Sequence, residues 1–284
     1  MKPTKHLATV RRYMPIETFD NWVRFEQQEV PLNMHKPVHF EGPQETTEIL
    51  ASFKTTPWYQ DIIKNPKVLA LYLVGSRAID LQRPESDLDM VVILDENGEN
   101  LQNRPTICLA YKGTSVHYNA YGYDEIFQVN DITHSEKLFV QQLFIKPEPY
   151  AVYLSEKGKK LHEFFKTNRE SLLRLGAKLV AYSHASALKV FKVKPMRAHA
   201  IGKWLYHPVM ACEILNNSVN PDLLFSLKTC TKREYDKHEF KTTLIKPLQK
   251  ELIECYKVLD MLNYIDLIHD CKEINHKIAS ILNN

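Results

Sequence analysis

Residues 71–94 read LYLVGSRAIDLQRPESDLDMVVIL. Two apolar runs of strand length flank a polar middle. The first, KVLALYLV at 67–74, is bounded by Pro66 and Gly75. The second, DLDMVVIL, spans 87–94, and Asp95, Asn97 and Gly98 end it. Neither run alternates apolar with polar, which predicts strands buried on both faces of a sheet. Asp87 and Asp89 break the rule at the head of the second run. Being two apart on a strand, they point to one face. Adjacent carboxylates repel and are costly unless a cation neutralises them. Mg2+ suits such a pair, because it takes a few carboxylates together with substrate phosphates. Gly75-Ser76 closes the first run ahead of RAIDL, which reads as a helix start. Free N–H groups at a helix start favour phosphate. Gly75 permits close backbone approach, Ser76 adds a hydroxyl and Arg77 adds charge. A phosphate cradle and a pair of metal-binding acids are parts that phosphoryl and nucleotidyl transfer require.

The combination of apolar strand, GS, ten residues, DxD and apolar strand resembles the DNA polymerase β-like nucleotidyltransferase superfamily. The residues that carry the resemblance are Gly75, Ser76, Asp87 and Asp89. GSRAIDLQRPESDLDM looks especially like the larger bacterial and phage "predicted nucleotidyltransferase" branch, with Arg77 and Ser86 at its extra GSR and SD-x-D positions. The resemblance implies two Mg2+ ions held by Asp87 and Asp89, with an NTP as substrate. Gly75, Ser76, Arg77 and Ser86 would bind nucleotide, helped by Lys178, Lys189 or Arg197 from a helical region. Such proteins usually carry a third acid on a later strand. In VHYNAYGYDEIF the matching position holds His117, with Asn119 two further along the same face. Three alternatives stay open: the alignment slips, His117 serves, or catalysis is weakened.

The rest of the chain predicts an α+β protein. A short helix is expected near Ile16–Gln28, a turn at Gly42-Pro43, and a helix in QETTEILASF before Pro57. TICLAYKGTSVHYNAYG reads as a hairpin turning at Lys112-Gly113-Thr114. In its second arm Val116, Tyr118 and Ala120 alternate with His117, Asn119 and Tyr121. After about residue 124 the periodicity becomes helical, with candidates at 124–146, 155–167, 169–193, 196–217, 243–263 and 267–282. Strands first and helices after argue two parts. The expected division is an extension at 1–43, a catalytic core at 44–130 and a basic helical domain at 131–284 that closes the cleft.

Charge is unevenly distributed along the chain. Residues 1–150 hold 15 Lys+Arg against 20 Asp+Glu, a net −5; residues 151–284 hold 22 against 14, a net +8. A solvated helix face explains such a bias as readily as an anionic partner does. On the long helix Arg174, Lys178, Ala181, Ala185, Lys189 and Lys192 share one face, while Leu172, Leu175, Leu179, Tyr182 and Ser186 lie on another. A nucleic-acid end, RNA foremost, is the expected acceptor of the nucleotide. Nucleotidylation of a protein or small molecule is the nearest rival, and a non-catalytic NTP- or RNA-binding module the rival of another class.

Five cysteines without a CxxC pair suggest reduced thiols in a cytoplasmic protein. No run reaches the ~18 apolar residues of a membrane helix, and the first 30 residues lack a secretory apolar core. HEFFK at 162–166 and HEF at 238–240 lack a zinc helix's second histidine. Pro37 argues against a shared helix face for His35 and His39. His184, His199 and His207 read as ordinary histidines, and Trp58 and Trp204 as core. The sequence leaves the oligomeric state open.

Overall fold

The computed structural model describes residues 43–79, 82, 86–95, 107–108, 114–127, 138–146, 148–184, 198–218, 254–255, 257–258 and 260–283. The helix expected near 16–28 lies outside them, as do 243–253 and the turn at 112–113.

Helices α1 (Pro43–Lys54) and α2 (Pro57–Lys64) lead in. Pro57 occupies the first turn of α2, where its missing N–H is no loss. Thr56 caps that helix, its hydroxyl accepting the Tyr59 N–H at 3.2 Å. Strand β1 (Val68–Val74) and the single turn α3 (Gly75–Ala78) follow, then β2 (Leu88–Leu94), β3 (Ile107–Cys108) and β4 (Ser115–Gly122). Next come α4 (Leu138–Ile145), β5 (Ala151–Leu154), α5 (Glu156–Thr167), α6 (Arg169–His184), α7 (Ala198–Leu215) and α8 (Tyr264–Asn283).

The strands form one mixed sheet in the order β3-β4-β2-β1-β5. Only β2 and β4 run parallel; the other neighbours are antiparallel. The two unbroken apolar runs occupy interior positions, as their composition requires. The hairpin expected at 106–122 appears as β3 against β4, with Ile107 opposite Val116. Strand β5 was not anticipated. It adds to the edge of β1, so the sheet draws on chain beyond residue 130. Of the helix expected over 124–146, the described residues show α4, while Tyr123–Phe127 form turns and 128–137 lie outside the described residues.

One sheet face presents Leu71, Leu73, Leu88, Met90, Val92, Val116 and Ala120 to Ile49, Phe53 and Ile62 of α1 and α2. Trp58 joins this core, its ring 4.6 Å from that of Tyr118. On the other face Tyr72 stacks on His162 and meets Phe165 of α5. Ser155 caps α5, accepting the Gly158 N–H at 3.1 Å and donating to the Leu69 carbonyl at 3.0 Å. A Cβ at Gly158 would run into that same carbonyl, so the approach of α5 to β1 requires glycine.

The described chain falls into two compact units, 43–127 with 138–176 and 268–283, and 177–184 with 198–218 and 254–267. The linear division at 130 therefore does not follow the sheet. From Ile268 onward the C-terminal helix belongs to the sheet unit, where Asn275 Nδ2 donates to the Asp124 and Phe127 carbonyls at 2.9 and 2.8 Å. In the other unit Tyr206, Val209, Met210 and Cys212 are buried. Cys212, Cys255 and Cys271 are free thiols, all buried.

On α6, Leu172, Leu175 and Leu179 face inward as expected. Ala181, placed by periodicity with the cations, is buried as well. Arg174 is exposed and Lys178 half-buried, while Lys189 and Lys192 lie outside the described residues. Arg169 is turned inward: its Nε and Nη2 donate to the Lys146 and Ile145 carbonyls at 2.8 and 2.7 Å. Part of the basic stretch thus serves the fold. Among the described residues no helix is long and apolar enough to cross a membrane.

Candidate active site

The end of β1 lies against the start of β2, with Val74 opposite Asp89. At Gly75 the chain leaves the sheet through φ +73, a region that favours glycine. A Cβ at Gly75 would collide with the Asp89 side chain, so glycine is required twice over. The Gly75 N–H donates to Gln142 Oε1 of α4 at 2.9 Å.

Asp87 lies just before β2 and Asp89 within it. The pleat turns both away from the α1–α2 core, whose face holds Leu88 and Met90. In the parallel register of β2 with β4, His117 lies directly beside Asp89. Its Nδ1 is 3.6 Å from Asp87 Oδ2 and 3.8 Å from Asp89 Oδ1. The side chains of Asp87, Asp89 and His117 are 45, 41 and 47% exposed, so the cluster is open to solvent. Asn119 is exposed on the same face, beside Val91. As they stand, no three His, Cys, Asp or Glu side chains among the described residues enclose a metal ion. The carboxylate pair nevertheless fits Mg2+, which is ordinarily held by one or two carboxylates while water and substrate phosphates fill its other positions.

Two expectations change here. The helix expected after Gly75 is a single turn, because Ile79 has already left helical geometry (φ −112, ψ 12). It supplies no long helix dipole, and its first N–H is taken by Gln142. Arg77, expected on phosphate, is only 2% exposed. Its Nε and Nη2 donate to the Ser86 carbonyl at 3.1 and 2.8 Å. Burial pulls the guanidinium below its ordinary value, and the charges of Glu45, Asp87 and Asp89 oppose that shift. The guanidinium stays cationic regardless.

Gly75, Asp87, Asp89 and His117 are thus brought together, with Arg77 behind them. Ser76 and Ser86 are half-buried nearby in the chain. Lys178 falls in the other unit, and Lys189 and Arg197 lie outside the described residues. Gln142 and Glu45 were missed. The available signal for Gln142 was a glutamine pair inside the apolar octet LFVQQLFI, where a buried amide needs a partner.

Residues 60–173 match the family model for the nucleotidyltransferase domain. Over that segment the chain is similar to the nucleotidyltransferase domain. It is consistent with the polymerase β-like superfamily that the GS and DxD motifs resemble. A comparison with curated proteins found no match. The matched segment begins within α2 and ends in α6, so it contains the whole sheet and the Gly75–Asp87–Asp89–His117 cluster. Helix α1, whose Glu45 lies near Arg77, precedes it.

Proposed function

We propose that the protein transfers a nucleoside monophosphate from an NTP to a hydroxyl of RNA, in a reaction that depends on Mg2+. The observation that carries this reading is the open pair Asp87 and Asp89, on one face at a strand end, with Asp89 against the backbone of Gly75. Asp87 and Asp89 are the metal ligands. When bound there, Mg2+ neutralises triphosphate charge and favours ionisation of the attacking hydroxyl. Gly75 and Ser76 provide the close backbone approach and the hydroxyl for the phosphates. His117 Nδ1 faces both carboxylates. That leaves Nε2 as the ring atom able to take the acceptor's proton. The net +8 of residues 151–284 favours a polyanionic acceptor.

The test is the full chain with each labelled NTP, Mg2+ and a pool of RNA. Pyrophosphate release and label on RNA are expected, both abolished by Asp89→Asn. Label on protein would replace the acceptor. One observation favours a second reading: the position beside Asp89 that the resemblance fills with an acid holds His117. NTP binding without pyrophosphate release would make the protein a binding module.

A further inference from the structure

We infer that Arg77 is a positioning residue, which holds the chain leading into the Asp87–Asp89 strand instead of binding phosphate. The inference rests on the reading of those carboxylates as the working pair. A phosphate ligand must present donors to the site. Two of the Arg77 donors close a fork on the Ser86 carbonyl. Its Nη1 is buried, with no hydrogen-bond partner among the described residues. With the whole residue 2% exposed, its donors are shielded from the solvent-facing side where a ligand would arrive.

The choice of Ser86 explains the arrangement. Its carbonyl belongs to the peptide bond that links it to Asp87, so fixing that oxygen fixes the direction in which Asp87 leaves the backbone. Asp89 follows in β2, where the sheet ladder holds it. Two open carboxylates on one face tend to splay apart by repulsion. A cation anchored behind them offsets that tendency without competing for the oxygen atoms that face solvent. The charges of Asp87 and Asp89 do act on Arg77, as does that of Glu45 on α1, itself largely buried. Arginine suits the task where lysine does not, because only a planar fork gives one carbonyl two parallel donors.

The test reads the contact and its consequence separately. In the uniformly 15N-labelled full chain, the Arg77 Nε–H resonance is assigned by through-bond experiments. A slowly exchanging signal in the NTP-free protein, unmoved by ATP with Mg2+, is expected. Arg77→Lys keeps the charge and loses the fork. It should weaken Mn2+ binding to the full chain by roughly tenfold, the usual scale for a group that orients a metal ligand. It should also lower kcat while KM for the NTP stays in place. Circular dichroism checks that the variant folds. A phosphate-binding arginine predicts the reverse: free exchange until ATP is added, a raised KM and unchanged Mn2+ affinity. Either free exchange or unchanged Mn2+ affinity in a folded Arg77→Lys protein would overturn the inference. A wild-type chain that binds Mn2+ but releases no pyrophosphate would instead remove the proposed function, leaving the exchange and Mn2+ results to decide the role of Arg77.

Discussion

Two histidines stand beside carboxylates on the same face of this sheet, and their surroundings differ. His162 is buried on α5. Its Nδ1 lies 3.2 Å from the Tyr72 hydroxyl and its Nε2 3.4 Å from Glu148. The Glu148 carboxylate can only accept, so in the neutral ring Nε2 carries the hydrogen and Nδ1 accepts from the Tyr72 hydroxyl. Both ring nitrogens of His162 are therefore engaged, between aromatic neighbours. His117 is exposed, and its Nδ1 faces two carboxylates at 3.6 and 3.8 Å, beyond a good hydrogen bond. A histidine that serves the core has its partners at hand. One that faces two exposed acids across a gap leaves room for something between them.

The largest expected effect sharpens that contrast. Asp89→Asn should remove Mg2+-dependent transfer by more than the roughly 10–100-fold of an outer-shell loss. The fold should survive, because one fewer carboxylate relieves repulsion in the metal-free protein. Pyrophosphate release beside a thermal melt checks both halves. Full activity in this variant would place the site elsewhere.

His117→Asp comes next. It makes the cluster three acids, so the metal-free protein should melt lower and gain more from added Mg2+ than wild type does. His117→Ala should slow transfer by roughly 10²-fold if the imidazole moves the acceptor's proton. Unchanged Mg2+ dependence of the melt in His117→Asp would mean that position 117 lies outside the ion's reach.

The same contrast shows what the sequence made legible. Asp87, Asp89 and Gly75 could be read because charge on an apolar strand and glycine at its end are local anomalies. His117 could be read because β4 alternates, with Val116 and Ala120 inward and His117 and Asn119 outward. Strand β5 escaped notice because four residues carry no period, and only the edge of β1 makes them a strand. The burial of Arg77 was hidden for a related reason. A basic residue after GS looks like a phosphate ligand until the fold shows the Ser86 carbonyl, nine residues on, meeting its fork. Residue type announces charge, whereas burial decides whether that charge faces a ligand or a peptide bond. The seam between α5 and β1 was equally hidden, since nothing in SEKGKK says that Gly158 abuts Leu69.

A smaller effect tests that seam. Gly158→Ala forces a methyl group toward the Leu69 carbonyl, and overpacking of this kind typically costs about 1–3 kcal/mol. The melting temperature should fall while the stabilisation by Mg2+ persists, because α5 carries His162 and none of the carboxylate cluster. Loss of the Mg2+ response in a folded Gly158→Ala protein would show that the two histidine environments are coupled.

The smallest effect concerns the phenol itself. Tyr72→Phe keeps the ring that stacks on His162 at 5.8 Å and meets Phe165 at 6.0 Å, so packing is retained. What disappears is the O–H that Nδ1 accepts. A buried acceptor left without its donor costs about 1–3 kcal/mol, and here the lower end applies, since the imidazole can turn toward Glu148. Denaturant unfolding should therefore report a loss near 1 kcal/mol. Transfer should continue at the wild-type rate, because Tyr72 is buried among α5 side chains and has no open path to the carboxylates. The double variant Tyr72→Phe, His162→Phe should lose no more activity than the single one. A selective fall in kcat with the fold intact would break the division between the two histidines and make Tyr72 and His162 a proton path serving the site.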